Sequence, residues 1–274
     1  MKRVTILGSV ILAAFWLPPR SHAGTDSDSI HASYLQVVES DFTTAFSDAG
    51  LIFGAPLHFD ATHWIGTASI LGGTSAIFPA DNDVRSFFSR NHSRLGDDLA
   101  GVGQRYGNTF YAVGFSGLVY AGGLLLEKPD VRETGLMLVE SLAFAGLTTT
   151  VIKAIAGRSR PYLEEGPYRY HGPGTTFDHS SLPSGHATVA FSISSVISAR
   201  VHNTWASVAL YSLAALTAAS RVYDDEHWLS DSFLGAAIGT VFGLAVSDAH
   251  EHRGDGASLR LSPSSSGLRI VYIF

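Results

Sequence analysis

Apolar residues in this chain fall into blocks. Six long apolar segments, roughly 64–78, 110–126, 136–156, 188–199, 206–219 and 233–246, are separated by polar stretches. Blocks of this length exceed ordinary strands and predict helices, and their Ala, Gly, Ser and Thr content allows close helix approach in a bundle or a membrane. A weaker helical pattern covers 33–46, and the polar stretch 81–106, with Arg85, Arg90 and Arg94 among acids and glycines, reads as a solvated connection. Beyond 255 the pattern changes to alternation. Leu268, Ile270, Tyr272 and Phe274 fall on one face after a Pro-Ser-Ser-Ser-Gly break, which predicts a hairpin packed on the edge of the bundle. The expectation is an all-α bundle of about six core helices over 24–254, with a short C-terminal β-hairpin over 255–274.

The N-terminus has a different logic. Lys2 and Arg3, the apolar run 4–17, Pro18-Pro19 and the small-residue site Ser21-His22-Ala23 form the three-part layout of a secretory signal. Cleavage after Ala23 makes 1–23 a signal peptide and the rest of the chain an exported protein. Most of the six segments fall short of the ~20 apolar residues of a spanning helix, several carry charges such as Glu140 and Lys153, and the mean hydropathy is a modest +0.18. Six spans after a cleaved leader would also return the loops that carry the chemistry to the cytoplasm. These points favour a bundle that is soluble or membrane-associated in the periplasm or cell envelope, with its site on the outer side of the inner membrane. The rival reading keeps the leader as an anchor and leaves the site outside too.

Charge and residue usage narrow the chemistry. Eighteen Lys and Arg against 24 Asp and Glu give a net charge of -6, and loss of Lys2, Arg3 and Arg20 with the leader lowers it further. An acidic chain is a poor nucleic-acid binder, so its clustered cations suit a small anion better than a polyanion. No cysteine is present, which excludes disulfides, thiolate metal sites and cysteine nucleophiles. Twelve histidines are present, but no His-x-x-x-His pair with a third ligand is visible, and His250 with His252 reads as a solvated helix end. No metal and no cofactor are expected.

Three polar clusters share one theme. In 220–231, His227 and Asp231 are four residues apart, so on a helix the carboxylate can orient the imidazole, and Arg221 offers a guanidinium fork for an oxyanion. Asp224, Asp225 and Glu226 beside them read as a solvated turn. In 153–161, Lys153 ends an apolar helix and needs a buried anionic partner, and Arg160 is held before Pro161; Arg158 is expected to point elsewhere. In 182–186, Ser184 and Gly185 provide a hydroxyl and backbone N–H groups at a helix start, a natural anion seat, and His186 in the first turn is placed to give a proton to a departing oxygen. Three cations around a helix-start nest, with two histidines, describe a site for a tetrahedral or trigonal-bipyramidal oxyanion.

Taken together, Lys153-x6-Arg160-Pro161, Pro183-Ser-Gly-His186 and Ser220-Arg221-x5-His227-x3-Asp231 resemble the signature of the type 2 phosphatidic acid phosphatase (PAP2) and vanadium haloperoxidase superfamily. The resemblance implies an all-helical bundle with the site at one end. It implies that His227 attacks phosphorus to form a phosphohistidine, that Asp231 orients it and that His186 protonates the leaving group. Lys153, Arg160, Ser184, Gly185 and Arg221 would hold the phosphoryl oxygens, without a metal. The expected substrate is a phosphorylated lipid or a small phosphate ester, and the membrane surface is an expected partner. Two alternatives keep the same residues: a vanadate-dependent haloperoxidase, and a phosphotransferase with an acceptor other than water.

Overall fold

The computed structural model describes residues 34–174 and 176–253, and the backbone of 259–264 and 267–272. The expected signal peptide, 1–23, lies outside the described residues. The helices are α1 (Tyr34–Gly54), α2 (Ala61–Ile77), α3 (Asp81–Arg90), α4 (Arg94–Tyr106), α5 (Thr109–Leu125), α6 (Pro129–Ala156), α7 (Gly185–Val201), α8 (Thr204–Tyr223) and α9 (Leu229–His252). The all-helical bundle expected from the six apolar blocks is present, with each block inside one helix or passing its C-terminal end by one residue.

Local chemistry starts most of these helices. Asp60, Ser93, Asn108, Ser184 and Asn203 each accept a backbone N–H of the first turn, which satisfies one of the donors a helix start leaves free. Gly157 ends α6 in the left-handed conformation at φ 60°, and a Cβ there would meet the Gly172 carbonyl oxygen at 2.1 Å.

The centre of the bundle is α7, packed against α6, α8 and α9. Its contact with α9 is the closest, because α9 offers Gly235, Gly239 and Gly243 at one-turn intervals. A Cβ on Gly235 would stand 2.4 Å from the Ser184 carbonyl oxygen, and one on Gly239 would stand 2.2 Å from that of Thr188. Backbone packed on backbone fixes the start of α7 against the start of α9, and Ser184 N–H donates to the Asp231 carbonyl at 2.9 Å. The main apolar core, with Met137, Leu138, Phe144, Val189, Ile193, Val196 and Val246, lies between α6, α7 and α9.

Two expectations need correction. The polar stretch 81–106 is not a solvated connection: it folds as α3 and α4, Asp81 is wholly buried, and α4 packs along α8. His250 is not a solvated terminus either; it is buried between Asp48, Glu133 and Glu140. The charge on Glu140 therefore faces the protein interior and is no argument against a membrane. Strands at Leu259–Ser264 and Gly267–Tyr272 pair antiparallel, but their side chains lie outside the described residues and the expected packing of a hairpin on the bundle is not supported.

The outer surface is unusually apolar. Phe110, Leu118, Leu125, Leu147, Ile155 and Trp205 are each more than half exposed, and α6 and α9 are long and apolar enough to cross a membrane. A surface of this kind matches lipid better than water.

Candidate active site

The signature residues come together at one end of the bundle, from the C-terminal end of α6, the N-terminal ends of α7 and α9, and the last turn of α8. Tight backbone geometry aims His227: after α8, the N–H groups of Glu226 and His227 both return to the Arg221 carbonyl, at 3.0 and 3.1 Å. This reversal places Arg221 and His227 on the same side. Trp228, buried at 1% exposure, anchors the turn by donating its indole N–H to the Ser159 carbonyl at 2.9 Å.

His227 is 3% exposed, and its Nδ1 lies 3.7 Å from Asp231 Oδ2. That is longer than a hydrogen bond, and Nδ1 has no other partner; contacts of this kind tighten when the imidazole gains charge. Burial pushes the His227 imidazole down to about 3, with the positive charges of Lys153 and Arg160 acting in the same direction against the pull of Asp231. The ring is therefore neutral at pH 7, the form a nucleophile needs.

Asp231 is wholly buried and fully engaged. Oδ1 accepts Arg158 Nη1 at 2.5 Å, and Oδ2 accepts Ser181 Oγ at 2.5 Å and the Trp228 N–H at 3.0 Å. The carboxylate is thus fixed before it meets His227.

The three cations differ in their partners. Lys153 Nζ donates to the Ser180 carbonyl, so a neutral oxygen stands where a buried anion was expected, and burial, with the charge of Arg160, pushes its ammonium down to about 7. Arg160 stacks on Phe177, 3.9 Å from the ring centroid, and donates to the Phe177 carbonyl at 3.0 Å. Arg221 is 4% exposed, and its Nε has no partner among the described residues. His186, half-buried in the first turn of α7, is held down to about 4 by burial and by the charges of Arg221, Arg160 and Lys153 together. Ser184 Oγ caps α7 at 3.5 Å from Ala187 N, and Gly185 faces open space where a Cβ would touch nothing.

The acidic turn departs from expectation. Asp225 makes a two-pronged pair with Arg85 at 2.6 and 2.7 Å, Asp224 lies 3.4 Å from Arg221, and Glu226 bridges Arg160 and Arg221. None of the three is a free solvated acid. Glu226 places a carboxylate on the two guanidinium groups predicted to hold phosphate.

Several contributors escaped the sequence. Arg158, wholly buried, binds Asp231, Asp81 and Ser230 at 2.5, 2.7 and 2.8 Å and lies 4.4 Å from the centroid of Phe78. Ser181, Ser180 and Phe177 come from the loop between α6 and α7, where composition alone carries no signal. Asp81 and Arg85 come from the stretch read as a connection. An acid opening a helix directly after a proline turn was the available hint for Asp81.

An apolar cleft of about 400 Å3 adjoins this site. Val113, Val139, Leu142 and Gly146 line it with Thr109, Thr149 and Thr188 where α5, α6 and α7 meet, and Lys153 and Gly185 complete its wall.

Residues 134–255, which contain all three signature clusters, match the PAP2 superfamily. Over 66 residues, 23% of this chain, the sequence is 38% identical to a lipid A 1-phosphatase of Porphyromonas gingivalis; the match covers 15% of that protein's length. The fold is similar to the first transmembrane PAP2 type phosphatidylglycerolphosphate phosphatase from Bacillus subtilis, with a TM-score of 0.51 and 18% identity over 80% of this chain and 96% of that one. Aquifex aeolicus LpxE gives a TM-score of 0.47 at 20% identity, covering 61% of this chain and 93% of that one.

Proposed function

From a chain whose three signature clusters all lie within its PAP2 superfamily match, we propose a metal-independent phosphatase that hydrolyses a lipid phosphate monoester or diphosphate through a phosphohistidine. The observation that carries the lipid reading is the apolar cleft whose wall includes Lys153 and Gly185. A phosphate seated among Lys153, Arg160 and Arg221 would place an attached hydrocarbon chain along Val113, Val139 and Leu142, where burial contributes ~0.8 kcal/mol per CH2. The apolar exterior suits work at a membrane surface, and the N-terminal leader suits export, with the site on the outer side of the inner membrane.

The geometry supports a two-step reaction in this reading. His227 turns Nδ1 toward Asp231, so Nε2 is the nitrogen left to attack phosphorus as the ester oxygen departs. His186 supplies that oxygen with a proton. In the empty site burial, and then the charges of Arg221, Arg160 and Lys153, keep His186 deprotonated; a bound phosphate offsets those charges and raises its proton affinity. Water then attacks the phosphohistidine, His186 takes the proton back, and phosphate leaves with His227 restored. Lys153, Arg160, Arg221 and the N–H groups at the start of α7 stabilise the equatorial oxygens throughout.

A side chain added at Gly146 tests the cleft. Nothing lies within 4 Å of a Cβ there, so Gly146→Leu fills the cleft without a clash at its root. Phosphate release from phosphatidate and undecaprenyl diphosphate is expected to fall while release from a soluble aryl phosphate persists, all measured with EDTA present. Equal losses on both classes would remove the lipid assignment, and release from the aryl phosphate alone by the unaltered protein would make it a soluble-ester phosphatase.

Glu226 yields a second prediction. Substrate phosphate must displace its carboxylate from Arg160 and Arg221, so Glu226→Gln is expected to lower KM and tighten inhibition by vanadate. The gain is up to about fivefold, since a partly exposed pair of this kind is worth at most ~1 kcal/mol. An unchanged inhibition constant would show that Glu226 does not compete for the phosphate seat.

A further inference from the structure

A second polar cluster lies at the opposite end of the bundle, ~20 Å along α6 from Lys153 and ~28 Å along α9 from Asp231 at a rise of ~1.5 Å per residue. His250 Nε2 faces Glu140 Oε2 at 3.0 Å and Asp48 Oδ2 at 3.2 Å, and these side chains are all at least nine-tenths buried. We propose that Asp48, Glu140 and His250 form a structural zinc site that fastens α1 to α6 and α9.

The spacing fits the ion. Zinc bonds of ~2.0–2.1 Å in a tetrahedron hold neighbouring donors about 3.3–3.4 Å apart, and one donor atom from each of the three residues lies within 4.8 Å of the other two. Two buried oxygens here have no hydrogen-bond partner, Asp48 Oδ2 and Glu140 Oε1. A proton on His250 Nε2 serves Glu140 Oε2 and leaves both of those oxygens unsatisfied, a cost of ~1–3 kcal/mol each. A divalent cation bound by the two carboxylates removes that cost.

The surroundings match a ligating histidine. Its other nitrogen, Nδ1, lies 3.4 Å from Glu133 Oε1, the carboxylate partner that fixes tautomer and ring orientation for a metal ligand. Arg200 holds Glu133 at 3.1 Å, and Arg253 occupies Asp48 Oδ1, leaving Oδ2 to point inward. Three carboxylates thus face two guanidinium groups, which leaves one unit of negative charge apart from the imidazole; against the effect of burial, Asp48, Glu133 and Glu140 push His250 up to about 10, so zinc binds here by displacing a proton. Oxygen, oxygen and imidazole nitrogen with a water as fourth donor is a zinc set.

The site is tested with the full chain, any histidine tag removed, stripped with a chelator and passed into metal-free buffer near pH 7.5. Titration with zinc alone, followed by calorimetry and elemental analysis, is expected to give one equivalent per chain and a raised Tm. Glu133→Gln, which leaves all three ligands in place, should weaken binding roughly 10–100-fold, and Asp48→Asn with Glu140→Gln should remove it. Failure of the unaltered, folded protein to take up zinc would overturn the proposal whatever the variants do, as would uptake that survives the double substitution. None of these measurements reads phosphatase activity, so the result stands apart from the assignment of the catalytic end.

Discussion

His227→Ala is expected to lower phosphate release by about 10^4 to 10^6, the range seen when a covalent catalyst loses its nucleophile, while the protein remains folded. The imidazole is buried but makes no hydrogen bond through Nδ1, so its removal leaves no partner stranded beyond Asp231, which keeps Arg158, Ser181 and the Trp228 N–H. Asp231→Asn addresses the same pair from the other side. An amide cannot stabilise the developing positive charge on His227, and it turns an N–H toward either Arg158 or Ser181; a loss on the order of 10^4 is expected by comparison with other carboxylate–histidine pairs. The check is steady-state hydrolysis beside circular dichroism and Tm, with a search for an acid-labile, alkali-stable phosphoprotein after rapid mixing. Turnover within tenfold of the unaltered enzyme in a folded His227→Ala protein would remove His227 as nucleophile.

What could be read in the sequence divides along a physical line. Helices were legible because long apolar blocks have few alternatives, and a helix-start residue such as Ser184 announces itself beside them. The signature residues were legible because phosphoryl transfer demands particular types at fixed spacings within one turn or one helix. Contacts between distant segments were not. Arg158 stands between two residues that read clearly, yet its value depends on Asp81, which comes from a stretch whose polarity resembled that of a loop. The acids at 225 and 226 were misread for the same reason: their partners, Arg85 and Arg160, lie elsewhere in the chain. His250 looked like a helix end because sequence shows only its own helix, and the burial comes from α1 and α6.

Arg158→Met is expected to destabilise the fold by ~3–5 kcal/mol, because it leaves two wholly buried carboxylates, Asp81 and Asp231, without their shared cation. The arginine cannot be replaced by lysine without loss: Nη1 serves Asp231 and Ser230, Nη2 serves Asp81, and Nε donates to the Pro167 carbonyl at 2.8 Å, and a single ammonium reaches one of these directions well. Asp81 in turn accepts the N–H and hydroxyl of Ser230 at 2.9 and 2.6 Å, so the dyad holds the first turn of α9, and with it Asp231, in register with His227. This makes Arg158 and Asp81 positioning residues for Asp231 and, through it, for His227, the proposed nucleophile. A fall in kcat with little change in KM is expected for Asp81→Asn, together with a shift in the pH profile as Asp231 regains freedom. Arg158→Met/Asp81→Asn should recover part of the stability lost in Arg158→Met, since one of the stranded charges is gone, but not the rate. Denaturant unfolding of the two single variants and the double variant measures the coupling, and additive losses would show that the two side chains act independently of each other.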